Sequence, residues 1–150
     1  MASFNKIVCA LDLAEHSKEV ASYATMLAQL SGGSVVALYV APTMTQYTGF
    51  HVPPNSIDTF VSEIVDGAKV TMEQFVKENF AGVNVTFDVV IGYAAEEILA
   101  CAERENADLI VMGTHGRTGI DRMLFGSVAE KVVKNSSIPV LTIRPTTAAE

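Results

Sequence analysis

The 150-residue chain carries 10 Lys and Arg against 17 Asp and Glu, a formal net charge of −7, with 49% hydrophobic and 18% charged residues. That length suits one domain able to bury a core, and the composition is that of a globular rather than a disordered chain. The acidic balance excludes DNA, RNA or an anionic membrane as main partner, since those need clustered Lys and Arg, whereas a small anion needs only local positive potential.

Met1 to Lys6 are mostly polar and lead into an apolar run too brief for a signal peptide. No segment approaches the ~20 apolar residues of a bilayer span. No membrane insertion is expected, and the expected address is the cytoplasm. Ile7 to Leu11 is a short, β-branched apolar run ending at Asp12 and reads as a buried strand. Val20, Ala24, Leu27 and Ala28 follow at helical spacing, with Ser17 as expected N-cap and Gly32-Gly33 as the stop. Val35 to Val40 is a second strand, closed by Pro42. The polar and aromatic stretch from Thr43 to Pro54 reads as a surface loop.

From Ile57, the residues Phe60, Val61, Ile64, Val65, Ala68, Met72, Phe75 and Val76 make one helical stripe. Val83, Val85, Phe87, Val89 and Ile91 alternate with more polar positions, the pattern of a strand near a sheet edge. Ala95, Ile98, Leu99 and Ala102 mark a third helix, with Glu96 and Glu97 in its first turn, where the helix dipole favours them. Leu109 to Met112 is a fourth strand. Val128, Ala129, Val132 and Val133 mark a last helix, and Ile138 to Ile143 a last strand with Pro139 near its start. Cys9 and Cys101 lie in apolar stretches with no CxxC and no metal-ligand spacing, so both are expected to be core thiols in a reducing compartment.

Strand and helix alternate five times, without repeat or linker. The pattern is a single-domain α/β/α sandwich, a parallel sheet covered by helices on both faces. Ligands of such sheets sit beyond the carboxyl ends of the strands, where the strand order reverses. That rule directs attention to Leu11-Asp12, Val40-Ala41, Ile91-Gly92 and Met112-Gly113.

Gly113-Thr114-His115-Gly116-Arg117-Thr118-Gly119 follows the fourth strand, and Gly126-Ser127-Val128 opens the last helix. Glycines allow close backbone approach, and successive N–H groups in such a turn form an anion-binding concavity. Free N–H groups at the helix start would converge on the same place, which suits a di- or triphosphate. A glycine-rich connection that serves geometry alone is the competing reading. Ser127 and Glu130 also form an S-x-x-E capping box, which needs no ligand. There is no GxxxxGK[ST] and no GxGxxG after the first strand, so neither a P-loop nor the usual dinucleotide fingerprint is present. Ser31-Gly32-Gly33-Ser34 is similar to the SGG start of ATP pyrophosphatases, but it sits between a helix and a strand and reads as a helix stop.

Gly113, two residues, Gly116, nine residues and Gly126-Ser127 resemble the G-2x-G-9x-G-[S/T] signature of ATP-binding universal stress proteins. Ile7 to Asp12, Asp108 to Gly116, Gly126 to Val132 and Ile138 to Leu141 resemble that family's first strand, fourth strand and loop, last helix and last strand. Asp12 is followed by Leu13-Ala14, where the family often shows a small residue and then Ser, a departure on the sugar side. The resemblance implies a Rossmann-like, adenine nucleotide alpha hydrolase-like fold with a five-stranded parallel sheet in the order 3-2-1-4-5.

It also implies roles. The base would lie against Ala10, Leu11, Asp12 and Val40, with Asp12 accepting hydrogen bonds from ribose hydroxyls; a turn or capping aspartate is the alternative. Met112 would line the pocket floor, although it and Val40 also suit simple core packing. Gly113, Gly116, Gly126, Ser127 and Val128 would give backbone N–H groups or a hydroxyl to the phosphates. His115 and Arg117 would touch phosphate or stay in solvent, and Arg122, Lys131 and Lys134 read as surface charge.

Two functions follow. The first is a regulatory protein that holds ATP (or ADP or AMP) and signals to an unknown protein partner in a stress response. The alternative is a slow ATPase or nucleotide-handling enzyme. Hydrolysis wants a positioned base and fixed charge on the leaving phosphate. Only Asp121 lies near the loop, and no arginine and lysine clamp is evident, so holding is preferred. A divalent cation, magnesium or manganese, would accompany a triphosphate through its phosphates. The resemblance implies a homodimer formed by pairing the last strands, Ile138 to Ile143, in an isologous interface. The loop from Thr43 to Pro54 would cover the site or bind a partner.

Overall fold

The computed structural model describes residues 3–43, 54–115 and 126–145. In chain order the elements are β1 (Lys6–Leu11), α1 (Ser17–Ser31), β2 (Ser34–Ala41), α2 (Pro54–Asn79), β3 (Asn84–Ile91), α3 (Ala94–Arg104), β4 (Leu109–Gly113), α4 (Ser127–Asn135) and β5 (Val140–Ile143). All pairings are parallel and the strand order is β3-β2-β1-β4-β5, the expected one.

The continuous apolar runs occupy the middle of the sheet because both of its faces are covered there. In β1, Ile7, Val8 and Cys9 are fully buried, and successive side chains go to opposite layers. Ile7, Cys9 and Leu11 join Val35, Ala37, Leu109 and Val111 against Val20, Ala21, Ala24 and Ala28 of α1 and Met72 of α2. Val8 joins Val36, Leu38, Ile110 and Met112 against Ala95, Ile98, Cys101 and Ala102 of α3 and Ala129 and Val132 of α4. These two apolar layers make the three-layer sandwich. Removing one such Ile or Leu from water contributes about 2 kcal/mol.

The ends of the elements follow local chemistry. α1 stops at Gly32, which takes the left-handed conformation (φ 71°) and donates its N–H to the Ala28 carbonyl. α2 begins at Pro54, whose fixed φ suits the first helical position. The expected loop from Thr43 to Pro54 falls, from 44 to 53, outside the described residues. β3 is an edge strand, as its alternation implies, and Phe87 and Ile91 remain exposed on it.

Two expectations are corrected. The N-cap of α1 is His16, and Ser17 is the first helical residue, its hydroxyl turned to the Asp12 carboxylate instead of the helix start. The last strand begins at Val140, two residues later than Ile138. Pro139 has no N–H to give the ladder, although its carbonyl accepts from Ile110 N at 3.0 Å.

Candidate functional site

The chain leaves β1 towards β2 on one side and continues from β4 to β5 on the other, so the strand order reverses between β1 and β4. A cleft of about 410 Å³ opens there, beyond the carboxyl ends of the strands. That is within the size range of small-molecule sites. The end of β1 contributes Ala10, Leu11 and Asp12, the end of β2 contributes Leu38, Tyr39 and Val40, and the end of β4 contributes Met112 and Gly113. Thr114 and His115 follow, and Gly126, Ser127, Val128 and Ala129 join from the start of α4. Ten of the twelve expected site residues thus face one space. Gly116 and Arg117 lie outside the described residues, as do Gly119, Asp121 and Arg122. Lys131 and Lys134 are not on the cleft; Lys134 donates to Glu130 at 3.2 Å on an exposed face of α4.

The walls divide by chemistry. Leu11, Leu38, Val40, Met112 and Ile143 of the strands and Ile98 of α3 make an apolar slot. The start of α4 adds the polar part. Gly126 is its N-cap in extended conformation (φ −75°, ψ 171°), and Glu130 N donates to the Gly126 carbonyl in the first helical bond. The N–H groups of Ser127, Val128 and Ala129 are therefore the orphan donors that every helix start leaves, and all three residues line the cleft. With the helix dipole they favour negative charge at that end. The expected Ser127–Glu130 capping box is not formed. Ser127 stands one residue inside the helix and no side chain caps it.

Backbone clips hold the two halves together. Gly126 N donates to the Thr114 carbonyl at 2.7 Å, and Thr114 N to the Ile143 carbonyl at 3.0 Å. The start of α4 is thereby bound to the end of β4 across the segment between them.

The polar side chains are few and ordered. One oxygen of the Asp12 carboxylate, Oδ1, accepts from Ala14 N at 2.9 Å and from Ser17 Oγ at 2.8 Å. The turn that allows this puts Leu13 at φ 60°, costly for a non-glycine residue. His115 Nδ1 lies 3.0 Å from Thr114 Oγ1, and Nε2 is buried with no hydrogen-bond partner among the described residues. Sequence reasoning gave Ser17 to the helix cap and assigned Thr114 no role in the site.

The cysteines stand apart from this chemistry. Both are buried and free. Burial pushes the Cys9 thiol well above its ordinary range. It also raises Cys101, where Arg104 pulls the other way and Glu105 and Asp88 add to the rise.

Comparison with known proteins agrees with this fold. The sequence model of the universal stress protein family matches residues 3–144. Universal stress protein MJ0531 of Methanocaldococcus jannaschii is 35% identical over 143 residues, covering 94% of this chain and 82% of its own. The solved structure of protein MJ0577 from the same organism superposes with a TM-score of 0.86 at 28% identity, over 98% of this chain and 100% of that one. A universal stress protein solved in complex with cAMP shares the fold at 19% identity, with a TM-score of 0.61 and coverage of 95% and 98%.

Proposed function

The chain belongs to the universal stress protein family, and from that premise we propose that it holds an adenine nucleotide, ATP foremost, in the cleft between β1 and β4 and acts as a nucleotide-dependent regulator in a stress response. The observation that carries the reading is the pairing of an apolar slot with the orphan N–H groups of Ser127, Val128 and Ala129 in one cleft. A flat apolar base suits the slot and a phosphate chain suits the donors. The G-2x-G-9x-G-S spacing from Gly113 to Ser127 supports it, and Gly116 and Arg117 join the phosphate side of the proposal. The cAMP-bound relative is a distant one and lends the fold; the nucleotide reading rests on this chain's own cleft.

The base would lie against Ala10, Leu11, Val40 and Met112, the ribose beside Asp12, and the phosphates between Gly113, His115, Gly126, Ser127 and Val128. No group of three His, Cys, Asp or Glu among the described residues would hold a metal ion. A magnesium or manganese ion would be held chiefly by the phosphates themselves. Denaturing the purified protein is expected to release an adenine nucleotide, and calorimetry on stripped protein is expected to show ATP binding. No binding of ATP or ADP at millimolar ligand would sink the reading. Turnover above background that disappears in Asp12→Ala or His115→Ala would replace holding by hydrolysis.

Two copies would pair through β5 in an isologous interface. β5 is an edge strand, and Val140, Leu141 and Thr142 are only half-buried on the single chain. Sedimentation is expected to give twice the chain mass, and a Leu141→Lys variant to give the monomer. A monomeric wild type would remove this claim. No helix among the described residues is long and apolar enough to cross a membrane.

A further inference from the structure

Ser17 and Thr114 are the buried polar residues among those described, 2% and 5% exposed. Both stand on the cleft, and each hydroxyl contacts one of its polar side chains. Ser17 donates to Asp12 Oδ1, and Thr114 lies against His115 Nδ1. A buried hydroxyl costs free energy unless it is bonded. Apolar residues of similar size would serve packing alone at either position, so the placement of the two hydroxyls calls for another reason.

We propose that Ser17 and Thr114 are paired positioning residues, Ser17 setting the ribose end of the cleft through Asp12 and Thr114 setting the phosphate end through His115. The proposal rests on the nucleotide reading and names what regulates its selectivity. On the ribose side, Ser17 and the Ala14 N–H hold Oδ1 from two directions. This fixes the plane of the carboxylate and thus the direction in which it meets the sugar hydroxyls. The strained turn at Leu13 brings Ala14 N–H to that oxygen. On the phosphate side, a Thr114 hydroxyl donating to Nδ1 puts the neutral ring's hydrogen on Nε2, and a protonated ring has it there as well. Nε2 is the buried atom with no partner among the described residues. The Thr114 contact holds in one orientation the ring that lines the cleft beside the start of α4, where negative charge is favoured.

Calorimetry with ATP, 2′,3′-dideoxy-ATP and adenosine separates the two ends. Wild type is expected to prefer ATP over each of the others. Ser17→Ala is expected to weaken ATP about tenfold and dideoxy-ATP less than twofold, collapsing the sugar preference and keeping the preference for ATP over adenosine. Thr114→Val is expected to do the reverse, losing about tenfold of the phosphate preference, with Thr114→Ser restoring it. A purely structural role would weaken all three ligands alike, so each variant controls for the other. The proposal is overturned if either variant changes the three affinities by one common factor, or changes none. If wild type binds none of the three, the nucleotide reading falls and this one with it.

Discussion

A valine in place of Gly126 is expected to weaken adenine nucleotide binding at least about a hundredfold, on the order of 3 kcal/mol. Backbone strain is not the cause, since φ −75° and ψ 171° are open to any residue. The cause is space. A Cβ at Gly126 would stand 3.3 Å from the Thr114 carbonyl oxygen and 3.7 Å from His115 Cα. Those atoms belong to the segment that Gly126 N–H holds at 2.7 Å. A Cβ alone asks for a few tenths of an ångström; two further methyl groups ask for the clip to open or for the cleft to be filled. Either result displaces the orphan N–H groups of α4 from the phosphate end. Thermal denaturation should show the variant folded, because Gly126 sits at a cleft wall rather than in either apolar layer. Alanine is expected to fall between valine and wild type, and an affinity of wild-type strength in Gly126→Val would refute the placement of the phosphates.

The second large effect lies at the other end of the sheet. Gly33→Ala is expected to cost about 3 kcal/mol of stability, read by urea unfolding, with nucleotide affinity per folded molecule unchanged. A Cβ there would fall on the Phe4 carbonyl oxygen, with the Asn5 carbonyl oxygen 2.9 Å away. Both are backbone atoms at the entry to β1, and they cannot move without disturbing other bonds. Ser31 Oγ donates to the Phe4 carbonyl at 2.7 Å and Ser34 N to the Asn5 carbonyl at 2.9 Å. The neighbouring Gly32 gives the contrast. Its φ of 71° penalises any side chain, but nothing lies within 4 Å of a Cβ built on it. Gly32→Ala should therefore cost only about 1 kcal/mol. Equal losses from the two substitutions would show that conformation, not close approach, accounts for both.

These two glycines illustrate how far the sequence could be read. As a pair they announce a helix stop, and the helix does stop there; that one is needed for its φ and the other for its lack of volume depends on the return of Phe4 and Asn5. The same division holds elsewhere. Apolar runs located β1, β2 and β4 because burial on both faces leaves a continuous signal, and alternation placed β3 at an edge. The order of strands needed the resemblance as well as the pattern. Errors came where one residue could serve two local purposes. Ser17 fits an N-cap by type and position, yet the approach of Asp12 at the end of β1 offers its hydroxyl a charged acceptor, and that bond wins. Ser127 and Glu130 have the right spacing for a capping box but start one residue too late in the helix. Tyr39, Ile98 and Ile143 reach the cleft from three separate elements. Their membership follows from strand register and side-chain direction, which no spacing along the chain encodes.

The two open edges of the sheet differ in a way that bears on assembly. β3 carries Asp88 at its middle, opposite Leu38 in the register, and its carboxylate reaches Arg104 at 3.9 Å. A second β3 adding to that edge would bring another carboxylate of like sign to it. β5 reads Val-Leu-Thr-Ile and has no charge of its own. On the proposed pairing through β5, the charged β3 edge is the one left without a partner. A chain with two receptive edges would polymerise by stacking sheet on sheet without limit, whereas a chain with a single receptive edge can only meet its twin and stop. Replacing Asp88 by an apolar residue would remove that terminator, so concentration-dependent fibre growth, rather than loss of fold, is the failure to look for in such a variant.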